Sequence, residues 1–256
     1  MPTIFYIVIY FIAFLFGITV ASFVNVLVYR IPRGLDFVKG RSFCPSCGHT
    51  LGALDLAPLL SWVFLKARCR YCGEKISPRY PLVELTGGLL AMACLWRFGW
   101  SWGLPVAFAV CMILLTLSLI DYDTHEIPDG LNIAMALCAV ASIWAMPGLP
   151  LLERLIGMIC VSVPMALINL LKPTSFGGGD ILLMAAAGFL LGWKQTLLAM
   201  FLALLLGGGY GAYLLIGKKK EGKDHFAFGP ALSAGIVLTL FTGNSIIMWY
   251  FALFML

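Results

Sequence analysis

Charged side chains are scarce in this sequence of 256 residues. They account for 11% of the chain, whereas hydrophobic residues account for 61%; a soluble domain carries roughly 25% charged and 45–50% apolar residues. So few charges cannot cover a water-facing surface, which excludes a soluble globular protein. The formal net charge of +5 is small and does not suggest nucleic-acid binding. We therefore predict an integral membrane protein.

Apolar runs long enough to cross a bilayer recur along the chain. A hydrocarbon core of about 30 Å takes roughly 20 helical residues. Gly243 and Asn244 leave open whether the last run is one span or a hairpin. The pattern predicts an all-α polytopic membrane protein with about eight transmembrane helices. The predicted spans are 4–29, 81–98, 102–120, 131–146, 151–171, 180–193, 195–216 and 228–256.

Basic residues predict both the orientation and the domain organisation. Lys and Arg in short loops stay on the cytoplasmic side, and most of the 17 Lys and Arg residues lie between the first two spans or at 218–223. This places residues 30–80 in the cytoplasm as a small loop between a first transmembrane helix, 1–29, and a larger transmembrane domain, 81–256. The run at 218–223 is interpreted as a topology determinant and a weak anchor to anionic lipid.

Two Cys-x-x-Cys pairs, Cys44 with Cys47 and Cys69 with Cys72, lie in the cytoplasmic loop, and each is followed by glycine. Their spacing matches tetrahedral zinc sites with thiolate ligands. A short polar loop also has little apolar surface to stabilise it. A redox dithiol is the alternative, but it needs a single pair, and the cytosol keeps thiols reduced. We favour structural zinc, while a vestigial knuckle without consequence for activity stays open.

Two acidic residues stand at the ends of apolar runs, where a charge is costly. Asp121 ends the third predicted span, and Asp180 begins the sixth, directly after Gly177, Gly178 and Gly179. In the eight-span interpretation the third helix runs inward and the sixth outward, so both acids reach the same cytoplasmic boundary. Two adjacent carboxylates can share one proton. Aspartic proteases use such a pair to activate water and to polarise the scissile carbonyl.

Other interpretations of these residues stay open. Asp180 can act as a helix cap, and the glycines before it can serve helix packing or the close approach of a substrate strand. Asp123, Glu126 and Asp129 fit loop or capping roles better than catalysis. Glu84, near the start of the second span, is a further candidate for a buried acid.

Together these motifs resemble the type IV prepilin peptidases, a family of intramembrane aspartic proteases. Residues 176–180, Phe-Gly-Gly-Gly-Asp, resemble the Gly-x-Gly-Asp motif of such proteases, and Asp121 with Ile-Pro-Asp at 127–129 resembles the partner motif. The tetracysteine loop and Phe-Gly-Pro at 228–230 resemble the longer, bifunctional members. Residues 22–26 and 29–32 resemble the first helix and its exit. The resemblance covers nearly the whole chain.

This resemblance implies that residues 81–256 form a transmembrane aspartic peptidase domain with Asp121 and Asp180 as its catalytic pair. The enzyme would lie in the inner membrane and cleave the basic leader of prepilins or pseudopilins on the cytoplasmic side, after a Gly. Bifunctional members then methylate the new N-terminus with S-adenosylmethionine. The sequence contains no glycine-rich nucleotide fingerprint, so methylation depends on the resemblance alone.

The partners implied are the prepilin or pseudopilin and the lipid bilayer, and the oligomeric state is left open. Asp123, Glu126 and Asp129 are interpreted as acids that attract the basic leader. Two other functions are compatible with parts of the sequence. A transporter also places acids and glycines at helix breaks, and a zinc-stabilised assembly scaffold needs only the cysteine loop.

Overall fold

A computed structural model describes residues 2–172, 175–216 and 227–254. Their regular structure is helical apart from two isolated β-bridges in the cysteine loop. The basic run at 218–223 lies outside the described residues. The helices are α1 (Pro2–Arg30), a short 3-10 helix (Ile31–Arg33), α2 (Leu60–Phe64), α3 (Arg79–Phe98), α4 (Gly103–Thr124), α5 (Asp129–Ala145), α6 (Leu151–Cys160), α7 (Ser162–Leu171), α8 (Gly178–Leu191), α9 (Trp193–Ile216) and α10 (Gly229–Phe254).

The lengths of the helices agree with a multi-pass membrane protein. The described residues include 6 helical stretches long and apolar enough to cross a bilayer, with α6 and α7 counted as one stretch. Two further apolar helices are shorter: α5 has 17 residues and α8 has 14. At about 1.5 Å per residue, α8 spans roughly 21 Å, less than the hydrocarbon core. The predicted all-α polytopic class is confirmed.

Two of the predicted spans have a more specific form than the sequence indicated. The run at 151–171 is divided at Val161 into α6 and α7. Pro164 accounts for the break, because it has no N–H to donate to the carbonyl of Cys160. The last run is one uninterrupted helix, α10. Asn244 does not form a hairpin there and instead accepts a hydrogen bond of 2.7 Å from the Gln195 side chain of α9.

The described chain divides into two compact units, Met1–Trp100 and Ser101–Leu256. In the first unit, small residues bring α1 and α3 together. A Cβ atom added at Gly17 would lie 2.8 Å from the Cα of Gly88, and one added at Gly87 would overlap the side chain of Ala21. Helices in membranes associate through such small residues, because their backbones can then approach closely.

The guanidinium of Arg30 holds the start of the cysteine loop at the end of α1. This side chain is buried, and its Nη atoms donate to the carbonyls of Asp36 at 2.9 Å, Lys39 at 3.2 Å and Arg41 at 3.0 Å. Buried charge requires such hydrogen bonds. Arg30 therefore fixes the path of residues 36–41.

In the second unit, α4, α5, α8, α9 and α10 enclose an apolar core. α6 and α8 touch through backbone, because a Cβ atom at Gly157 or Gly188 would overlap the carbonyl oxygen of the other glycine. α10 packs on α9 in the same way, with Gly235 against Ala199. The end of α4 and the start of α8 therefore belong to the same packed unit. The large core side chains with no exposed surface include Leu114, Leu117, Leu183 and Met184.

Arg154 joins the C-terminal ends of α5 and α8. Its side chain is 1% exposed. One Nη atom donates to the Ser142 hydroxyl at 2.6 Å and to the Phe189 carbonyl at 3.3 Å, and the other donates to the carbonyls of Ser142 at 3.1 Å and Met146 at 2.8 Å. Carbonyls at a helix C-terminus carry partial negative charge and favour a cation. Arg154 therefore acts as a shared C-terminal cap.

Replacing Arg154 with Ala is expected to lower the free energy of unfolding by about 3 kcal/mol, because buried carbonyls then lose their donors. Thermal unfolding of the detergent-solubilised protein measures the change. The exposed Lys194, replaced with Ala, is the matched control and is expected to alter the free energy by about 0.5 kcal/mol or less. Equal effects of the two substitutions would contradict the capping role.

Candidate active site

Asp121 lies in the last turn of α4, with 5% of its surface exposed. Its Oδ2 atom accepts a hydrogen bond of 2.8 Å from the backbone N–H of Gly229, the first residue of α10. The N-terminus of a helix carries partial positive charge and suits an anion. Gly229 has no room for a side chain, since an added Cβ would lie 2.6 Å from that same oxygen. The first turn of α10 therefore orients Asp121.

Asp180 lies in the first turn of α8 and is 8% exposed. Its Oδ2 atom accepts a hydrogen bond of 3.2 Å from the backbone N–H of Gly177, just before the helix. Its Oδ1 atom is buried and has no partner among the described residues. The Oδ2 atom of Asp180 thus acts as a helix cap, as one interpretation of the sequence held, and the Oδ1 atom remains available to react.

The carboxylates of Asp121 and Asp180 are close enough to interact electrostatically. Both are buried and belong to the second unit. Asp180 lies in the first turn of α8, and the carboxylate of Asp121, in the last turn of α4, meets the first residue of α10. Two interacting acids exchange protons as a pair. The arrangement can therefore supply a general base and a general acid to one bound substrate.

The glycine motif packs against the segment that links α4 to α5. A Cβ atom added at Gly179 would lie 2.6 Å from the Cβ of Ile127, and the Gly179 carbonyl accepts a hydrogen bond of 3.2 Å from Asn132. A side chain at Gly178 would enter open space, and Gly177 serves as the donor to Asp180. The structure thus brings together the two motifs that the sequence placed far apart.

Three predicted acids lie on the exposed segment after Asp121. Asp123 is in the last turn of α4, Glu126 is in the linker, and Asp129 is the first residue of α5, with Pro128 as its N-cap. All three are exposed. They are thus accessible to a charged partner.

Glu84 has a different environment, within the first unit. It is buried in α3, and its Oε2 atom accepts a hydrogen bond of 2.8 Å from the backbone N–H of Leu59. Ser22 of α1 is a second partner. Leu59 has a positive φ of 61°, a conformation that costs free energy for a non-glycine residue. Glu84 therefore stabilises the base of the cysteine loop.

Three residues at the site were not predicted from the sequence: His125, Asn132 and Asn169. Asn169 holds Phe176 through two hydrogen bonds, of 2.7 Å and 2.8 Å, and the Phe176 ring lies 6.2 Å from that of Phe228. These rings belong to the segments that precede Asp180 and Gly229. His125 ends α4 and contacts the Asp121 carbonyl at 3.2 Å. A polar residue in an apolar run is the one sequence signal that indicates Asn132 and Asn169.

The four predicted cysteines Cys44, Cys47, Cys69 and Cys72 form one cluster, with their Sγ atoms within 4.8 Å of one another. The Sγ atoms of Cys44 and Cys72 are 4.0 Å apart. A tetrahedral ion with bonds of about 2.3 Å to sulfur holds its ligands roughly 3.8 Å apart. The cluster therefore fits a metal ion.

Two matching turns build this cluster. Gly48 donates to the Cys44 carbonyl at 2.8 Å, and Gly73 donates to the Cys69 carbonyl at 3.0 Å. Both glycines have positive φ, of 71° and 74°, which glycine adopts without steric cost. The glycine after each Cys-x-x-Cys pair is thus required by the turn.

Side chains outside the cysteines also tie the two turns together. Asp55 accepts hydrogen bonds from the Arg70 Nε at 2.7 Å and from the Tyr71 hydroxyl at 3.2 Å. The bond from Arg70, followed by that from the Gly52 N–H, holds the pKa of Asp55 below its ordinary value. His49 stacks on Tyr71 with ring centres 3.6 Å apart. His49 therefore has a packing role beside the cysteine cluster.

Two protein-family models match the chain. Residues 15–98 match the bacterial peptidase A24 N-terminal domain, and residues 108–212 match the type IV leader peptidase family. The first match contains the four cysteines, and the second contains Asp121 and Asp180. No solved structure matches the chain.

Three curated relatives align with most of the length of the chain, and each is named a prepilin leader peptidase/N-methyltransferase. The Aeromonas salmonicida protein is 31% identical over 93% of this chain and 92% of its own length. The Bacillus subtilis protein is 34% identical over 93% of this chain and 96% of its own length. The Myxococcus xanthus protein is 35% identical over 82% of this chain, which spans 64% of that relative.

Replacing Cys47 with Ser is expected to abolish metal binding, because the remaining thiolates no longer complete a tetrahedral set. Elemental analysis of the purified protein measures the metal, and limited proteolysis of residues 30–80 measures the loosening of the loop. Cys138, which lies in α5, is the control, and its replacement with Ser is expected to change neither result. Equal metal content in the Cys47 variant and the unaltered protein would contradict the cluster's role.

Proposed function

Because the chain belongs to the type IV leader peptidase family, we propose that it is a membrane aspartic endopeptidase acting on type IV prepilins or pseudopilins. It removes their leader peptide and methylates the new N-terminus, as the names of its relatives indicate. The observation that carries the proposal is the buried pair of acids, Asp121 and Asp180, each held at the start of a helix.

The pair divides the chemistry of peptide hydrolysis between its members. One carboxylate takes a proton from water while the water oxygen forms a bond to the scissile carbonyl carbon, and the protonated partner donates to the carbonyl oxygen. The C–N bond then breaks, and the leaving nitrogen receives a proton. The free Oδ1 atom of Asp180 supports this role, since it is the oxygen able to exchange a proton with bound reactants.

The position of the acids suits a substrate whose apolar helix lies in the membrane. The leader of such a substrate is basic, and the exposed acids Asp123, Glu126 and Asp129 supply an attractive field for it. Salt screens attraction between exposed charges, so the attraction of these acids for the leader weakens as ionic strength rises. Cleavage after a leader glycine, at the cytoplasmic face of the inner membrane, is part of the same proposal. The buried pair and the named relatives favour it over a transporter or an assembly scaffold.

The cysteine cluster holds zinc in this proposal, through Cys44, Cys47, Cys69 and Cys72. Zinc would brace the loop between α1 and α3, because four thiolates form a closed structural site without an open position for catalysis. S-adenosylmethionine would supply the methyl group. The described residues contain no sheet with a glycine-rich turn into a helix, so we assign no residue to this cofactor.

Replacing Asp121 or Asp180 with Asn is expected to lower leader cleavage by about 1,000-fold or more. The Asn amide can neither take a proton from water nor share a proton with the remaining carboxylate. Purified protein in detergent is incubated with a prepilin, and mass spectrometry of the product reports cleavage and methylation together. Glu153, an acid at the start of α6, is replaced with Gln as the control and is expected to leave the rate unchanged. Retained cleavage in either Asp variant would end the assignment.

Replacing Gly229 with Ala is expected to lower kcat by about 100-fold, because the added Cβ would lie 2.6 Å from the Asp121 carboxylate and must displace it. Gly208 of α9 is the matched control, since a Cβ atom there meets open space. The rate of prepilin cleavage compares the two variants. Similar rates would show that the position of Asp121 tolerates displacement.

A further inference from the structure

Asn132 is a buried polar residue in the first turn of α5, with 5% of its surface exposed. Its Nδ2 atom donates a hydrogen bond of 3.2 Å to the carbonyl of Gly179. That carbonyl belongs to the peptide bond that joins Gly179 to Asp180. Asn132 is thus bonded to the backbone that carries one of the two acids.

The amide oxygen of Asn132 has no partner among the described residues, although it is buried. The orientation of the amide follows from its neighbour, because turning it over would place two oxygens against each other. An unpaired acceptor in an apolar interior is costly, so a donor is required. Asp180, on the same peptide, also has a buried oxygen without a described partner.

Two unpaired oxygens beside one peptide indicate a place for a hydrogen-bond donor that the described part of the chain does not supply. We propose that Asn132 is a further residue of the cleavage site, accepting a hydrogen bond from the attacking water or from a peptide N–H of the substrate. The Nδ2 atom of Asn132 holds the Gly179–Asp180 peptide in place through its hydrogen bond to the Gly179 carbonyl. This inference rests on the function proposed above.

A role in packing alone makes a different prediction from a role in hydrogen bonding. Leu is similar to Asn in shape but neither donates nor accepts. Thr and Val are equal in shape to one another, but Thr carries a hydroxyl that can do both. Comparison of Asn132→Thr with Asn132→Val therefore separates hydrogen bonding from packing at constant volume.

The experiment measures kcat and KM for prepilin cleavage by Asn132→Leu, Asn132→Val and Asn132→Thr, with thermal unfolding as a check on folding. Leu and Val are expected to lower kcat/KM by about 10- to 100-fold, and Thr is expected to retain a kcat/KM at least severalfold higher than that of Val. A loss confined to kcat identifies water as the donor, and a raised KM identifies a substrate N–H. Equal kcat/KM for the Thr and Val variants would overturn the proposal, as would a Leu variant as active as the unaltered protein.

Thr239 supplies a matched control because it is another buried residue whose side-chain oxygen has no described partner. It lies about 15 Å along α10 from Gly229 at ~1.5 Å per residue, and Thr239→Val is expected to leave kcat and KM unchanged. Asp180→Asn is measured in the same assay. If that variant cleaves, the proposed function fails; if it is inactive while Asn132→Leu is fully active, only the present inference fails.

Discussion

Two carboxylates buried in a bundle of apolar helices are the constraint on which the second unit depends. Removing a carboxylate from water is costly unless hydrogen bonds replace the lost hydration. Here the donors are backbone N–H groups, from Gly229 for Asp121 and from Gly177 for Asp180. The start of α10 must therefore lie beside the end of α4, whereas the donor to Asp180 comes from the start of its own helix, α8. The glycines at these positions follow from the same requirement, since a Cβ at Gly229 would meet the Asp121 carboxylate.

Two buried arginines donate hydrogen bonds to backbone carbonyls, whereas the two acids accept hydrogen bonds from backbone N–H groups. Arg30 donates to carbonyls of the loop that follows α1, and Arg154 donates to carbonyls at the ends of α5 and α8. Backbone carbonyls thus stabilise these guanidinium groups. In the second unit, Arg154 lies at the C-terminal ends of α5 and α8, while the acids lie at the start of α8 and the end of α4. Charges of opposite sign are thereby kept at opposite ends of α8.

The sequence indicated candidate site residues where a residue type is rare in its surroundings. Acids in apolar runs indicated Asp121 and Asp180, and the spacing of the cysteines predicted a cluster that the structure also forms. The break at Val161 depended on a single proline within an otherwise apolar run. Contacts between distant segments could not be predicted from the sequence, because the partner of a buried group depends on how the helices pack. The hydrogen bonds of Asn132 and Glu84 belong to this second class.

The donor that orients Asp121 belongs to α10, which follows every other described helix in the chain. During synthesis both acids therefore leave the ribosome before the group that holds one of them in place. A nascent chain that has inserted α4 and α8 carries its acids without their final geometry. Completion of the site is thus coupled to insertion of the last helix, so a half-made protein in the membrane lacks the assembled pair.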